Sequence, residues 1–582
     1  MAIENLITEH IDVWTSAVKT RSTSGRGSSK KLELYGIKKL RELIIELAIQ
    51  GKLTANLDFK GSAKKNVEDA IVAKFNLSKE RNIRGDKETY SSDRAKGFPL
   101  HWETICVGQV AHVLGGKRVP KGYKLSEQPT DFVYLRVTDM KNQSIDESDL
   151  RYISEEVFKQ ISRYTINTGD VYVTIAGTIG AVGTIPPHLD GMSLTENAAK
   201  LVFSGLSKKY LVTVLQSSFV TRQFNDAVNQ MAQPKLSLNS IKHTCIPIPP
   251  LEEQEYIADK VDELMALCDQ LEQQTEASIE AHQVLVTTLL DTLTNSADTD
   301  ALMQNWARIS EHFDTLFTTE ESIDQLKQTI LQLAVMGKLV PQDPSDEPAA
   351  ELLKRIAEEK AQLVKEKKIK KQKALPPISE DEKPFELPSG WEWCRFNDAI
   401  DVRDGTHDSP KDATGTNTYP LITSKNFING KIDFDNARQI SSEDHFEIIK
   451  RSQVDKLDIL FSMIGGNIGN QVIVEDEHDF SIKNVALFKY YNVRYTYPYF
   501  VFLYTQNLAK DLQTKAVGGA QPFISLGALR SLLFALPPRE EQEKIVTKVK
   551  ELMVLCDQLI ARLKESQATQ IHLTDAIVAR AV

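Results

Sequence analysis

The sequence predicts an α+β chain of two strand-rich domains separated by long antiparallel coiled-coil helices, arranged as an internal pseudo-two-fold repeat of about 288 residues. Two observations predict this. The segment PPLEEQEYIADKVDELMALCDQL at 249–271 returns as PPREEQEKIVTKVKELMVLCDQL at 537–559, with 17 of 23 positions identical. The texture also changes at each Pro-Pro, from short Val-, Ile-, Thr-, Tyr- and Phe-rich runs broken by Gly, Pro, Asn and Asp to an unbroken helical pattern.

An N-terminal helical region spans 1–97, with the amphipathic run LYGIKKLRELIIELAIQ stopped by Gly51. A first strand-rich domain spans 98–248, opening near Trp102 and including DFVYLRV and GDVYVTIAG. A central helical spacer and linker spans 249–385. It begins at Pro249 and Pro250, where a missing N–H is harmless, and continues into acidic residues suited to the positive end of the helix dipole. From Ile257, a seam of Val261, Leu264, Cys268, Leu271, Thr275, Leu285 and Leu289 follows heptad steps; at about 40 residues such a helix spans roughly 60 Å and acts as a ruler between two globules. The spacer also holds SIDQLKQTILQLAVM, stopped by Gly337, and the charged run 351–373, read as a solvated helix and tether with phosphate contact by Lys367, Lys368, Lys370 and Lys371 as the sharper alternative. The second strand-rich domain spans 386–536. A C-terminal helical region, 537–582, repeats the seam at Ile545, Val549, Leu552, Cys556, Leu559, Leu563, Leu573 and Ile577.

Composition excludes several classes. The 582 residues exceed what one core usually holds, no apolar run approaches the roughly 20 residues of a membrane helix, and the N-terminus lacks the features of a secretory signal, so a cytoplasmic location is expected. Five cysteines without a CxxC pair predict neither zinc nor disulfides; Cys106 with Cys394 and Cys268 with Cys556 recur at the repeat distance as packing residues. The net charge of −10 argues against a DNA binder until its distribution is read: 251–300 carries thirteen acids and one base, Lys260, whereas 101–250 carries fifteen bases and thirteen acids. Phosphate loop, HExxH, GxSxG and amino-methyltransferase tetrapeptide are all absent, so no catalytic site is expected.

Matched loops remain as candidates. TIAGTIGAVG (174–183) in the first half stands at the position of SMIGGNIGN (462–470) in the second, either as a tight hairpin or as a close approach to a ligand. QMAQPKLS (230–237) matches GGAQPFIS (518–525), where Gln suits adenine and Ser a phosphate, or where a capped loop leads onward. The cluster GGKRVPKGYK has no basic counterpart in DVRDGTHDSPKD, a difference expected of two readers on one scaffold. The candidate DNA-binding residues are Lys117, Arg118, Lys121, Arg136, Thr178, Gln233, Lys235, Arg403, Lys425, Asn426, Asn467 and Gln521.

The Pro-Pro-x-Glu-Glu-Gln helices, the Gly-Lys-Leu helix ends, FELPSGWEW and the half-repeats together resemble the specificity subunits of type I restriction-modification systems, with a type IB-like N-terminal extension. The resemblance implies two target-recognition domains, each reading one half of a bipartite double-stranded DNA site. It also implies association with two modification subunits that methylate adenine with S-adenosylmethionine and with restriction subunits that use ATP and Mg2+, no cofactor being held by this chain. A coiled-coil scaffold whose globules bind proteins is the alternative; it predicts no salt-sensitive DNA binding.

Overall fold

The computed structural model describes residues 3–22, 30–84, 90, 97–229, 234–297, 299–475, 477–516 and 522–582. The chain divides into two compact units, one of residues 1–278 with 565–582, the other of residues 279–564. Each mixes helix and strand.

The first unit is built on a four-stranded antiparallel sheet of β1 (Ala111–Gly115), β2 (Val171–Thr174), β3 (Val182–Thr184) and β4 (Ala198–Phe203), in the order β1-β4-β2-β3. The second repeats it with β5 (Ile400–Asp404), β6 (Ile459–Ser462), β7 (Gln471–Ile473) and β8 (Val485–Tyr490), in the order β5-β8-β6-β7. All pairings in both sheets are antiparallel. The central strands read as apolar runs because both faces are covered: Val171, Tyr172 and Val173 are buried, as are Ile459, Leu460 and Phe461. A two-stranded pairing joins the start of each strand-rich stretch to its end, Glu103–Cys106 with Cys245–Ile248 and Glu392–Arg395 with Leu533–Leu536.

The repeated sequence motifs converge on one buried knot per unit. Helix α1 (Tyr35–Ile49) ends with Gly51 at φ +67°, where the Lys52 N–H donates to Leu47 O at 3.0 Å. An added Cβ there would lie 2.5 Å from the Pro99 ring, so the glycine serves both the left-handed turn and the close approach. Helix α2 (Leu251–Thr294) starts beside it, and its buried Glu253 accepts hydrogen bonds from Trp102 Nε1 (3.0 Å) and Thr54 Oγ1 (2.6 Å), with His101 Nε2 at 2.9 Å. Gln254 accepts from the Ser207 N–H and donates to Pro249 O. In the second unit α3 (Glu320–Val335) ends at Gly337, and Glu541, in the first turn of α5 (Arg539–Ala581), accepts from Trp391 Nε1 at 3.0 Å and Gln342 Nε2 at 3.2 Å. Gln542 accepts from the Tyr497 N–H at 2.7 Å and donates to Pro537 O at 3.1 Å. Helix α4 (Ala349–Lys365) lies between α3 and the second sheet in sequence.

The long helices run 44 and 43 residues. Their buried positions correct the heptad reading at one step. Ile257, Val261, Leu264 and Cys268 are buried as expected, but Val286 and Thr574 are buried where the heptad selects Leu285 and Leu573, which are 49% and 44% exposed. Over these stretches the straight helical period of 3.6 residues displaces a strict 3.5 repeat by one position.

A further correspondence escaped the sequence reading. His10 and His312 are both N-caps of short helices in the matching strings EHIDVW and EHFDTL; Trp14 N–H donates to His10 O at 3.0 Å and Leu316 N–H to His312 O at 2.9 Å. The spacing differs from the rest of the repeat because the first half then inserts a β-hairpin, Lys19–Ser22 paired with Lys30–Glu33.

Candidate nucleic-acid interface

In each unit the loops singled out in the sequence meet at one end of the main sheet, where β1, β2 and β4, or β5, β6 and β8, finish or begin. Beyond β1, the Gly116 N–H donates to Ala198 O at 3.1 Å and the Lys117 N–H to Leu194 O at 2.9 Å. An added Cβ at Gly116 would sit 2.0 Å from Thr195 O, and at its counterpart Gly405 it would sit 2.4 Å from Ile482 O, so the backbone can bend over the neighbouring strand only with glycine here. The exposed Lys117 has its Nζ 5.6 Å from the Tyr164 ring centre. Arg118 Nε donates to Glu196 at 2.6 Å, and the Tyr134 hydroxyl lies 2.9 Å from Lys117 O and 3.1 Å from Glu196 Oε2. Burial raises the Glu196 carboxyl, but hydrogen bonds from Arg118, Tyr134 and Thr195 outweigh it and hold Glu196 below the ordinary carboxylate range. The Tyr134 phenol is pushed up to about 12, burial being the chief cause.

The glycine-rich loops are hairpins, linking β2 to β3 and β6 to β7. Thr174 Oγ1 accepts from the Ala181 N–H at 2.8 Å and donates to Thr178 O. In the second unit the Ser462 N–H donates to Asn470 O at 2.8 Å. The Gln-Pro loops lie against these hairpins in both units: the Leu236 N–H donates to Ile175 O at 2.9 Å, the Ile524 N–H to Met463 O at 2.9 Å and the Gly465 N–H to Pro522 O at 2.8 Å. Two motifs more than fifty residues apart thus form a single surface in each half. Each ends in a capped helix, as Ser237 accepts from the Ser240 N–H and Ser525 from the Ala528 N–H.

The candidate residues fall into three groups. Lys117, Arg118, Thr178 and Lys235 are exposed on the loops of the first surface, Asn467 on the hairpin of the second, and Lys425 on a turn next to that hairpin, where Asn470 Nδ2 reaches Phe427 O. Lys121 is exposed farther along the basic loop. Three others are engaged within the chain. Arg136 is held by both Asp139 oxygens (2.6 and 3.1 Å) and by Asp149, Arg403 is held by Asp401 at 2.7 and 2.8 Å, and the buried Asn426 accepts from the Thr423 N–H and hydroxyl at 3.0 and 3.1 Å. Asn426 and Asp139 are one structural position in the two halves, each accepting from the N–H three residues earlier. Gln233 and Gln521 lie outside the described residues.

The second surface includes residues the sequence reading passed over. His407 places Nε2 3.0 Å from Asp404 and Nδ1 3.2 Å from Asn484, and Arg451 donates to Asp404. Phe523, 47% exposed, stands at the position of Lys235. The signal was present, since aligning AQPKLS with AQPFIS sets a cation against an aromatic ring.

A model of the type I restriction modification DNA specificity domain matches residues 99–281 and 388–566. The type I restriction enzyme EcoAI specificity subunit of Escherichia coli is 38% identical over 598 residues, covering 100% of both chains. The EcoEI specificity subunit of the same organism is 36% identical over 604 residues, covering 99% of each. Among solved structures, the HsdS subunit from Thermoanaerobacter tengcongensis aligns over 84% of this chain and 98% of its own, at 18% identity and a TM-score of 0.42. No helix among the described residues is long and apolar enough to cross a membrane. With one domain match in each half and full-length relatives above one-third identity, this chain belongs to the type I restriction modification DNA specificity family.

Proposed function

We propose that this chain is the non-catalytic specificity subunit of a type I restriction-modification complex and reads a bipartite DNA site. Target-recognition domains at 98–248 and 386–536 each read one half, and the helices between them set the spacer. One observation carries the reading: the two halves keep the same buried scaffold, while the loops exposed at matching sheet ends carry different chemistry, with Lys117, Arg118 and Lys235 in one and His407, Asn467 and Phe523 in the other. Gly466 adds to it. Its φ is ordinary and nothing lies within 4 Å of an ideal Cβ, so no described neighbour demands glycine there, whereas a closely approaching ligand would.

In this proposal Lys117, Arg118, Lys121, Lys235 and Lys425 face phosphates, while Thr178, Gln233, Asn467 and Gln521 lie on the loops that approach base edges. Arg136, Arg403 and Asn426 support those loops from behind. The complex comprises two modification subunits that use S-adenosylmethionine and restriction subunits that translocate DNA with ATP and Mg2+, all in the cytoplasm; this chain holds none of those cofactors. The test is genome-wide adenine methylation by single-molecule sequencing, in cells carrying the chain with its modification subunit and in cells lacking only the chain. A split motif that vanishes with the chain is expected; identical methylomes with both subunits expressed would sink the reading.

A further inference from the structure

We propose that residues Lys365–Lys373, at the end of helix α4, form a separate, sequence-independent surface for the phosphate backbone of duplex DNA, distinct from the reading loops. The inference rests on the DNA-reading function above.

The stretch KEKKIKKQK carries six lysines against one glutamate in a chain whose net charge is −10. Lys365, Lys367, Lys368, Lys370, Lys371 and Lys373 are all exposed, and among the described residues only Lys368 has an ion-pair partner, Glu366 at 2.8 Å. Five ammonium groups on nine consecutive residues therefore have no ion-pair partner among the described residues.

This segment has a defined path. Lys367 takes φ +59°, its N–H donates to Val364 O at 3.1 Å, and the Lys368 N–H donates to Leu363 O at 3.0 Å, so the helix closes on a left-handed turn. Ile369 packs against the core of the unit. Gln372 accepts from the buried Asn397 side chain at 2.5 Å, and the chain just beyond is gripped by the buried Arg395, whose guanidinium donates to Pro376 O, Pro377 O and Glu382. Anchors on both sides of the lysines fix the backbone that carries them, which lowers the ordering cost of an electrostatic contact.

Two simpler explanations leave a remainder. Lysines at a helix C-terminus offset the dipole, but that effect fades within the last turn; it accounts for Lys365, Lys367 and Lys368 and not for Lys370, Lys371 and Lys373. A solvated surface usually intersperses both signs, as along α4, where Lys354 pairs with Glu351 at 2.7 Å and Arg355 with Glu347 just ahead of the helix. A dense one-sign run on a fixed backbone matches the regular negative charge of a duplex, and the lysine ammonium is a point charge suited to phosphate without base readout.

The test uses the full chain assembled with its modification subunits. Lys367, Lys368, Lys370, Lys371 and Lys373 are replaced together by Gln, and in a second variant together by Arg. Binding is measured on a labelled duplex with the split motif and on a scrambled duplex, from about 50 to 200 mM salt. The Gln variant is expected to bind both duplexes about tenfold more weakly, with the log–log salt slope shallower by roughly 0.9 for each phosphate that is no longer neutralised and the methylated motif unchanged. The Arg variant is expected to keep the parental slope. An unchanged slope in the Gln variant would overturn the proposal, as would weakening on the motif duplex alone or failure to co-purify with the modification subunits, which would make the run a base-reading or a protein-docking element. Failure of the underlying function is a different result: the parental complex would show no preference for the motif duplex.

Discussion

The knots at Glu253 and Glu541 are nearly the same object, and the loop surfaces above the two sheets are not. Each buried carboxylate accepts a Trp indole N–H, each following Gln bridges a Pro carbonyl and a backbone N–H, and each neighbouring glycine turns against a proline ring. Deleting one member of such a set leaves buried donors unpaired at about 1–3 kcal/mol each, whereas exposed substitutions typically cost within about 0.5 kcal/mol. Two copies of one scaffold are therefore constrained where they are buried and free to diverge where they are wet. That is what a protein reading two different half-sites requires.

The comparison breaks most visibly at the knots. Glu253 has three partners, whereas Glu541 has two and burial already pushes its carboxyl above the ordinary range. Glu253→Ala should destabilise the first unit by about 4 kcal/mol and Glu541→Ala the second by about 2. Denaturant unfolding followed by unit-specific probes checks the order, and equal losses would contradict it.

Next in size is a second pair of buried acids. Asp170 lies 3.0 Å from Arg81 and 3.7 Å from Lys200, while Asp458 has Lys489 at 2.5 Å. Burial pushes Asp458 up to about 6 despite that lysine. A pKa raised on folding makes the group stabilising at low pH, with the contribution lost as pH rises through about 6. Relative to Asp458→Asn, the parental protein should therefore lose about 2–3 kcal/mol between roughly pH 3.5 and 6.5, with little further change above that. Parallel pH–stability curves for the two proteins would refute the assignment.

Smaller still is the effect on readout. Asn467→Ala should relax one half of the methylated motif by about tenfold in discrimination and leave the other half intact, and Thr178→Ala should do the converse. Sequencing of methylated DNA distinguishes the two; a change in both halves from either substitution would show that the surfaces do not read independently.

Much of this was legible in the sequence because it is local or repeated. The Pro-Pro starts, the Gly51 and Gly337 stops and the long helices each follow from a short string and its copy. What was not legible is non-local. Nothing in TIAGTIGAVG announces that its Ile175 carbonyl receives the Leu236 N–H, and nothing in LRVTDM shows that Arg136 is spent on Asp139 and Asp149. The seam failed at Leu285 for a geometric reason, since a one-residue slip between the 3.5 and 3.6 periods is undetectable until burial is known. Candidate residues picked by type alone were therefore sorted by the fold, which left Lys117, Lys425 and Asn467 exposed and turned Asn426 inward.

The finest difference between the surfaces is electrostatic. Arg118 is 80% exposed and pairs with Glu196, whereas its counterpart loop offers His407, held by Asp404 and Asn484. An exposed ion pair contributes little to stability, so Arg118→Gln should leave the thermal midpoint unchanged. If Arg118 exchanges Glu196 for a phosphate on binding, the same substitution removes one released counterion and makes the log–log salt slope shallower by about 1, equally on motif and scrambled duplexes. His407→Gln removes no guanidinium or ammonium group and should leave the slope where it was. Equal slopes for all three proteins would mean that Arg118 remains with Glu196 in the complex, and the first surface would then reach phosphate through Lys117, Lys121 and Lys235 alone.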